Sequence, residues 1–91
     1  MYDKNSFVKE FTMKKSINVS LNSINKVKSF VNVLGQFDAD FVLASGRYVV
    51  DAKSIMGIFS LDLSKPIELR IEGDDKDEAA ITEALAPYAG D

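Results

Sequence analysis

Neither cysteine nor histidine occurs in this chain of 91 residues, and the two absences exclude a great deal. Without cysteine there is no disulfide, no thiolate nucleophile and no Cys-ligated zinc. Without histidine the chain lacks the commonest general base, the commonest transition-metal ligand and any phosphohistidine. No apolar run approaches the roughly 20 residues that span a bilayer, and no signal-peptide pattern opens the sequence. The cytoplasm is the expected location. Gly-rich phosphate loops, nucleotide fingerprints and a plausible catalytic dyad are missing too. No enzyme and no cofactor is expected.

What is present suits one small domain. The composition is 46% hydrophobic, enough for a modest single core. Net charge is −3 but unevenly placed: residues 1–30 hold six lysines and two acids, residues 68–91 eight acids and two bases. The acidic end argues against nucleic acid as a partner, because phosphate binding wants a basic face. The lysine-rich start is expected to be a solvated face.

Residues 1–13 have no clean period: Phe7, Val8, Phe11 and Met13 mix with Lys9 and Glu10. They form an N-terminal extension, an added edge strand or an early start to the fold. Residues 14–91 hold the domain. From Ser16 the pattern clears, with Ile17, Val19 and Leu21 alternating against Ser16, Asn18 and Ser20 as a half-buried strand does. Asn22-Ser23 then caps a helix whose stripe is Ile24, Val27, Phe30, Val31 and Leu34. Gly35 is placed to end it as a left-handed residue.

Asp40 to Ala44 and Arg47 to Asp51 read as strands joined by a tight turn at Ser45-Gly46. Pro66 opens a fourth strand in which Ile67, Leu69 and Ile71 face in and Glu68, Arg70 and Glu72 face water. Gly73 breaks that strand. Asp75 with Glu78 resembles a capping box for a last helix, whose stripe is Ile81, Ala84, Leu85 and Tyr88. The acids Asp74, Asp75, Asp77 and Glu78 lack the spacing of a calcium loop and suit a helix start, so no metal is expected.

Between the third and fourth strands lies Lys53 to Pro66. Ser54 is a good N-cap just before Ile55, Met56, Ile58, Phe59 and Leu61. So short an apolar helix must be packed on a larger body. Gly57 lowers its propensity and is expected to leave room for a close approach. The order β-α-β-β-α-β-α predicts an α+β fold: a four-stranded antiparallel sheet with three helices on one face.

The words Lys53-Ser54-Ile55-Met56-Gly57, then an apolar pair and Ser60-Leu61, resemble the second-helix segment of HPr, the phosphocarrier of bacterial sugar phosphotransferase systems. Phe37-Asp38-Ala39-Asp40 is similar to the family's entry into its second strand, and Gly73 to Ala80 to its acidic entry into the last helix. The likeness runs from about Phe37 to Tyr88. It implies an HPr-like open-faced β-sandwich with sheet order 1-4-2-3. It also implies that Ser54 matches the regulatory serine of a dedicated kinase. Counting back from Phe37 puts Ser23 at the family's phosphoacceptor histidine, Asn25 at its arginine and Lys26 at its proline. None of the three is kept. Helix capping accounts for Ser23 fully, and no base sits beside it in sequence to activate it.

Capping accounts for Ser54 as well, yet a phosphate would also be well placed there. Lys53 and an exposed edge of Ile55, Met56, Gly57 and Phe59 would then form a surface for protein partners. HPr relatives that lack the histidine but keep this serine act as regulatory partners in carbon catabolite repression. The resemblance therefore implies a regulatory or adaptor protein without phosphotransfer, met by a kinase or transcriptional regulator. Neither nucleic acid nor membrane is an expected partner, and a monomer is expected. The alternatives are a working phosphocarrier, which the missing histidine opposes, and a ferredoxin-like small-ligand sensor. A long, regular second helix favours the sensor; a short apolar one favours HPr.

Overall fold

The computed structural model describes residues 12–90. The sequence-based expectations for residues 1–11 lie outside that range. Four strands make one antiparallel sheet: β1 (Thr12–Val19), β2 (Asp40–Ser45), β3 (Tyr48–Asp51) and β4 (Ile67–Asp74). Their order across the sheet is β1-β4-β2-β3. Helices α1 (Ile24–Leu34), α2 (Ile55–Phe59) and α3 (Glu78–Leu85) cover one face. With five residues, α2 is far too short for the crossover helix of a ferredoxin-like domain, and the sensor alternative falls away.

The alternation in β4 decides which face is dry. Ile67, Leu69 and Ile71 are buried and line up across the sheet with Val19, Ile17 and Lys15 on β1, and with Leu43 and Phe41 on β2. Onto them pack Val27, Phe30 and Leu34 from α1, Ile58 from α2, and Ile81 and Leu85 from α3. Each fully buried side chain of this size removes enough apolar surface from water to contribute about 1.5–3 kcal/mol. Tyr88, in the short 3-10 turn Ala86–Tyr88, closes the core edge-on against Phe30, with ring centroids 5.5 Å apart.

The other face is wet, and its charges are paired along the strands. Lys14 lies 3.3 Å from Glu72, and Arg70 lies 3.1 Å from Glu68. The Ser16 hydroxyl donates to Glu68 at 2.5 Å. That hydroxyl first, and the Arg70 guanidinium second, hold the Glu68 carboxyl below its usual range.

Several local expectations need correction. β1 begins at Thr12 rather than near Ser16 and ends at Val19. Leu21 is fully buried, but from the linker and not from the strand. Gly35 ends α1 in right-handed geometry (φ −64°), with its N–H donating to the Val31 carbonyl. Gly46, at φ 59°, is the positive-φ residue among those described, and it starts the two-residue turn between Ser45 and Tyr48. Gly73 lies inside β4, opposite Met13. Asp74, not Asp75, does the capping: its carboxylate accepts from the Lys76 N–H at 3.1 Å and starts a 3-10 turn that leads into α3.

Candidate functional site

Helix α2 hangs beside β3 on the dry side of the sheet. Asp51 sets it up: its carbonyl accepts from the Ser54 N–H at 3.0 Å, and its carboxylate from the Lys53 N–H at 2.9 Å. Ser54 is extended (φ −102°, ψ 110°), and its hydroxyl accepts from the Gly57 N–H at 3.2 Å. It is the N-cap that the sequence predicts, and it is half-buried. Inside the turn Ile58 is fully buried, which anchors the helix. Its other apolar residues face out: Ile55 is 38% exposed, Met56 83% and Phe59 43%. At Met56 a polar chain would cost little in packing, and the outer parts of Ile55 and Phe59 leave apolar surface beside it that the core does not cover.

Two neighbours behave differently from the expectation. The direction a side chain would take at Gly57 is not open: an ideal Cβ there lies 3.3 Å from Val50 Cβ and 3.4 Å from Ser54 Oγ. Gly57 thus lets α2 lie close on β3 and offers no room to a partner. Lys53 reaches away along its own chain. Its ammonium donates to the Phe37 carbonyl at 2.9 Å and sits 5.5 Å from the centroid of the Phe41 ring. The first contact ties the start of α2 to the loop before β2, and the second ties it to β2 itself.

Ser23 caps α1 in the same way, its hydroxyl accepting from the Lys26 N–H at 3.1 Å. It is exposed, as is Asn25. A shallow groove joins this corner to the end of α2, lined by Ser23, Ile24, Phe59 and Leu63 among others. Ile24 is 61% exposed there, although its helical spacing places it in the buried stripe of α1. It is the first residue of that helix and projects past the end of the core. Only tertiary structure reveals it as part of the α2 surface. Ser23, Ile24, Phe59, Ile55 and Met56 therefore share the helix-covered side of the protein, with two capped serines within it.

Such a sheet, with helices on one face and the other left open, is an open-faced β-sandwich. Residues 23–90 match the family described as the PTS HPr component phosphorylation site. A crystal structure of a phosphocarrier protein HPr from Bacillus anthracis str. Ames is 32% identical, over 87% of this chain and 98% of its own, with a TM-score of 0.63. A crystal structure of HPr-C-His from Thermoanaerobacter tengcongensis is 29% identical, over 82% and 88%, with a TM-score of 0.65. The chain belongs to the HPr family of the sugar phosphotransferase system. Among the described residues no helix is long and apolar enough to cross a membrane.

Proposed function

We propose that this protein is a regulatory or adaptor member of the HPr family without phosphotransfer activity. It is read by protein partners through α2 and the Ile24 corner. The observation that carries this is chemical: an HPr-family chain without a single histidine has no phosphohistidine to offer. Ser23, at the position matched to the acceptor, is engaged as a helix cap. An alcohol there would need a base to attack a phosphohistidine, and Asn25 and Lys26 beside it supply none.

The partner surface is supported by apolar surface left exposed on Met56 and Ile24 and on parts of Ile55 and Phe59. Ser54 is the candidate modification site beside them. A phosphate on it would add roughly −2 charge at the rim of an apolar patch, enough to change which partner binds.

The test has two arms. Incubation with labelled phosphoenolpyruvate and enzyme I should leave the protein unlabelled. Incubation with a bacterial HPr kinase should place label on Ser54 and none on the Ser54→Ala variant. An acid-labile, stoichiometric label in the first arm would restore the phosphocarrier function. A kinase that modifies ordinary HPr but leaves Ser54 untouched would reduce Ser54 to a cap.

A further inference from the structure

Among the described residues the sheet's two edges, β1 and β3, are treated differently. At the β1 edge Lys14 and Lys15 stand in the strand, and the chain end covers the rest. Val19 bridges Ala89 there, and the Gly90 N–H donates to the Asn18 carbonyl at 2.9 Å. Lysines and a covering segment are the usual protections of an exposed edge. Among the described residues β3, being Tyr48-Val49-Val50-Asp51, carries no lysine; α2 packs against Val50, but no backbone hydrogen bond from a neighbouring segment reaches Val49, and Tyr48 is 70% and Val49 58% exposed.

The direction of its backbone groups follows from the register. β3 pairs with β2 as Ser45↔Tyr48, Ala44↔Val49, Leu43↔Val50 and Val42↔Asp51. The Ala52 N–H donates to the Phe41 carbonyl, so bonds to β2 fall on residues 48, 50 and 52. The N–H and C=O of Val49 and the N–H of Asp51 consequently point outward. Side chains 49 and 51 share the wet face, because alternate strand residues do, and exposed Arg47 stands in the turn just before the strand.

We propose that this edge pairs with a second copy of itself. The two β3 strands run antiparallel about a two-fold axis at Val49. Val49 then exchanges two hydrogen bonds with the partner's Val49. The same axis brings each exposed Arg47, in the turn before β3, beside the partner's Asp51. Arg47 makes no ion pair among the described residues, and Asp51 uses one carboxylate oxygen on the Lys53 N–H. The opposite charges at 47 and 51, two residues either side of Val49, favour the register that the outward groups of Val49 set. A strand with two acids, or with Arg47 one position away, would not be complementary to itself.

An edge this short buries well under the roughly 1,200 Å² of stable interfaces, so Kd is expected at about 0.1–1 mM. Sedimentation of the full chain up to about 2 mM should show a monomer–dimer equilibrium in that range. Val49→Pro removes only an outward N–H, which an edge strand tolerates, and should abolish the dimer while far-ultraviolet circular dichroism is unchanged. Arg47→Asp should weaken association about tenfold or more, and Arg47→Asp with Asp51→Arg should restore it. A monomer throughout the concentration range overturns the proposal. So does a dimer that ignores both Val49→Pro and Arg47→Asp, or one lost instead on Met56→Lys, which would place the contact on α2.

Discussion

Gly73 lies against Ala39 so closely that a Cβ built on it would sit 2.7 Å from the Ala39 Cβ and 3.1 Å from its Cα. The contact falls where β4 runs between Met13 on one side and the start of β2 on the other. Real Cβ atoms do not approach so near, and one of the two obstructing atoms is backbone, which gives way poorly. Gly73→Ala is therefore expected to destabilise by about 1–3 kcal/mol, although alanine normally improves a strand glycine. Urea unfolding measures this directly. An unchanged midpoint would show that the two strands can part at no cost.

Adjacent residues of β4 should differ sharply. Leu69 is fully buried between Ile17 and Leu43, so Leu69→Ala leaves a cavity and should cost about 2–5 kcal/mol. Arg70 stands on the wet face with one exposed ion pair, and Arg70→Ala should cost under about 1 kcal/mol. Equal losses in thermal unfolding would contradict the one-sided placement of the helices.

These two residues belong to the part of the fold that was legible in the sequence. Period-two alternation in β4, the stripe Val27-Phe30-Leu34 and the serine cap of α2 are local signals, and each predicted what is found. What was not legible is tertiary. The early start of β1 was hidden because Lys15 occupies an inward position and breaks the apolar alternation. Its stem is half-buried while its ammonium reaches Thr82 at 3.1 Å and Glu78 at 3.6 Å. Leu21 fits the strand's parity yet is buried from a linker. Gly73 read as a breaker because sequence cannot show the Ala39 it must admit. In the candidate site, exposure of Ile55, Met56 and Phe59 followed from a helix too short to bury every side. The exposure of Ile24 and the path of Lys53 to Phe37 depended on elements far apart in the chain.

Glu68 provides a pH-dependent test of the wet face. Its carboxyl is lowered by the Ser16 hydroxyl first and by Arg70 second. A carboxyl depressed on folding stabilises the protein above its unfolded pKa, and that contribution is lost as pH falls through the folded value. Ser16→Ala should move the Glu68 titration upward, toward the ordinary carboxylate range, with Arg70 holding part of the depression. It should also make stability less dependent on pH across that acid range. Carbon-detected nuclear magnetic resonance titration reads the first effect. If Glu68 titrates identically in both proteins, the hydroxyl is not bonded to it in solution.

Ser54 separates capping from modification. Its hydroxyl satisfies the Gly57 N–H, so Ser54→Ala should cost about 0.5–2 kcal/mol. Ser54→Asp keeps an acceptor at the same place and should recover most of that loss, since aspartate is an equally good cap. A phosphate on Ser54 likewise keeps oxygens for Gly57. It receives little help from Lys53, whose ammonium is held at Phe37, and it meets the negative Asp51 three residues upstream. The favourable cap and the unfavourable neighbour act in opposite directions, each on the scale of about 1 kcal/mol. The phosphorylated protein should accordingly melt close to the unmodified one, with its fold intact. Any change in partner binding on phosphorylation then arises at the surface of Ile55, Met56 and Phe59 and not from unfolding. Calorimetry of the modified and unmodified proteins decides the point: a loss of several degrees on modification would mean that phosphate breaks the cap and that α2 detaches.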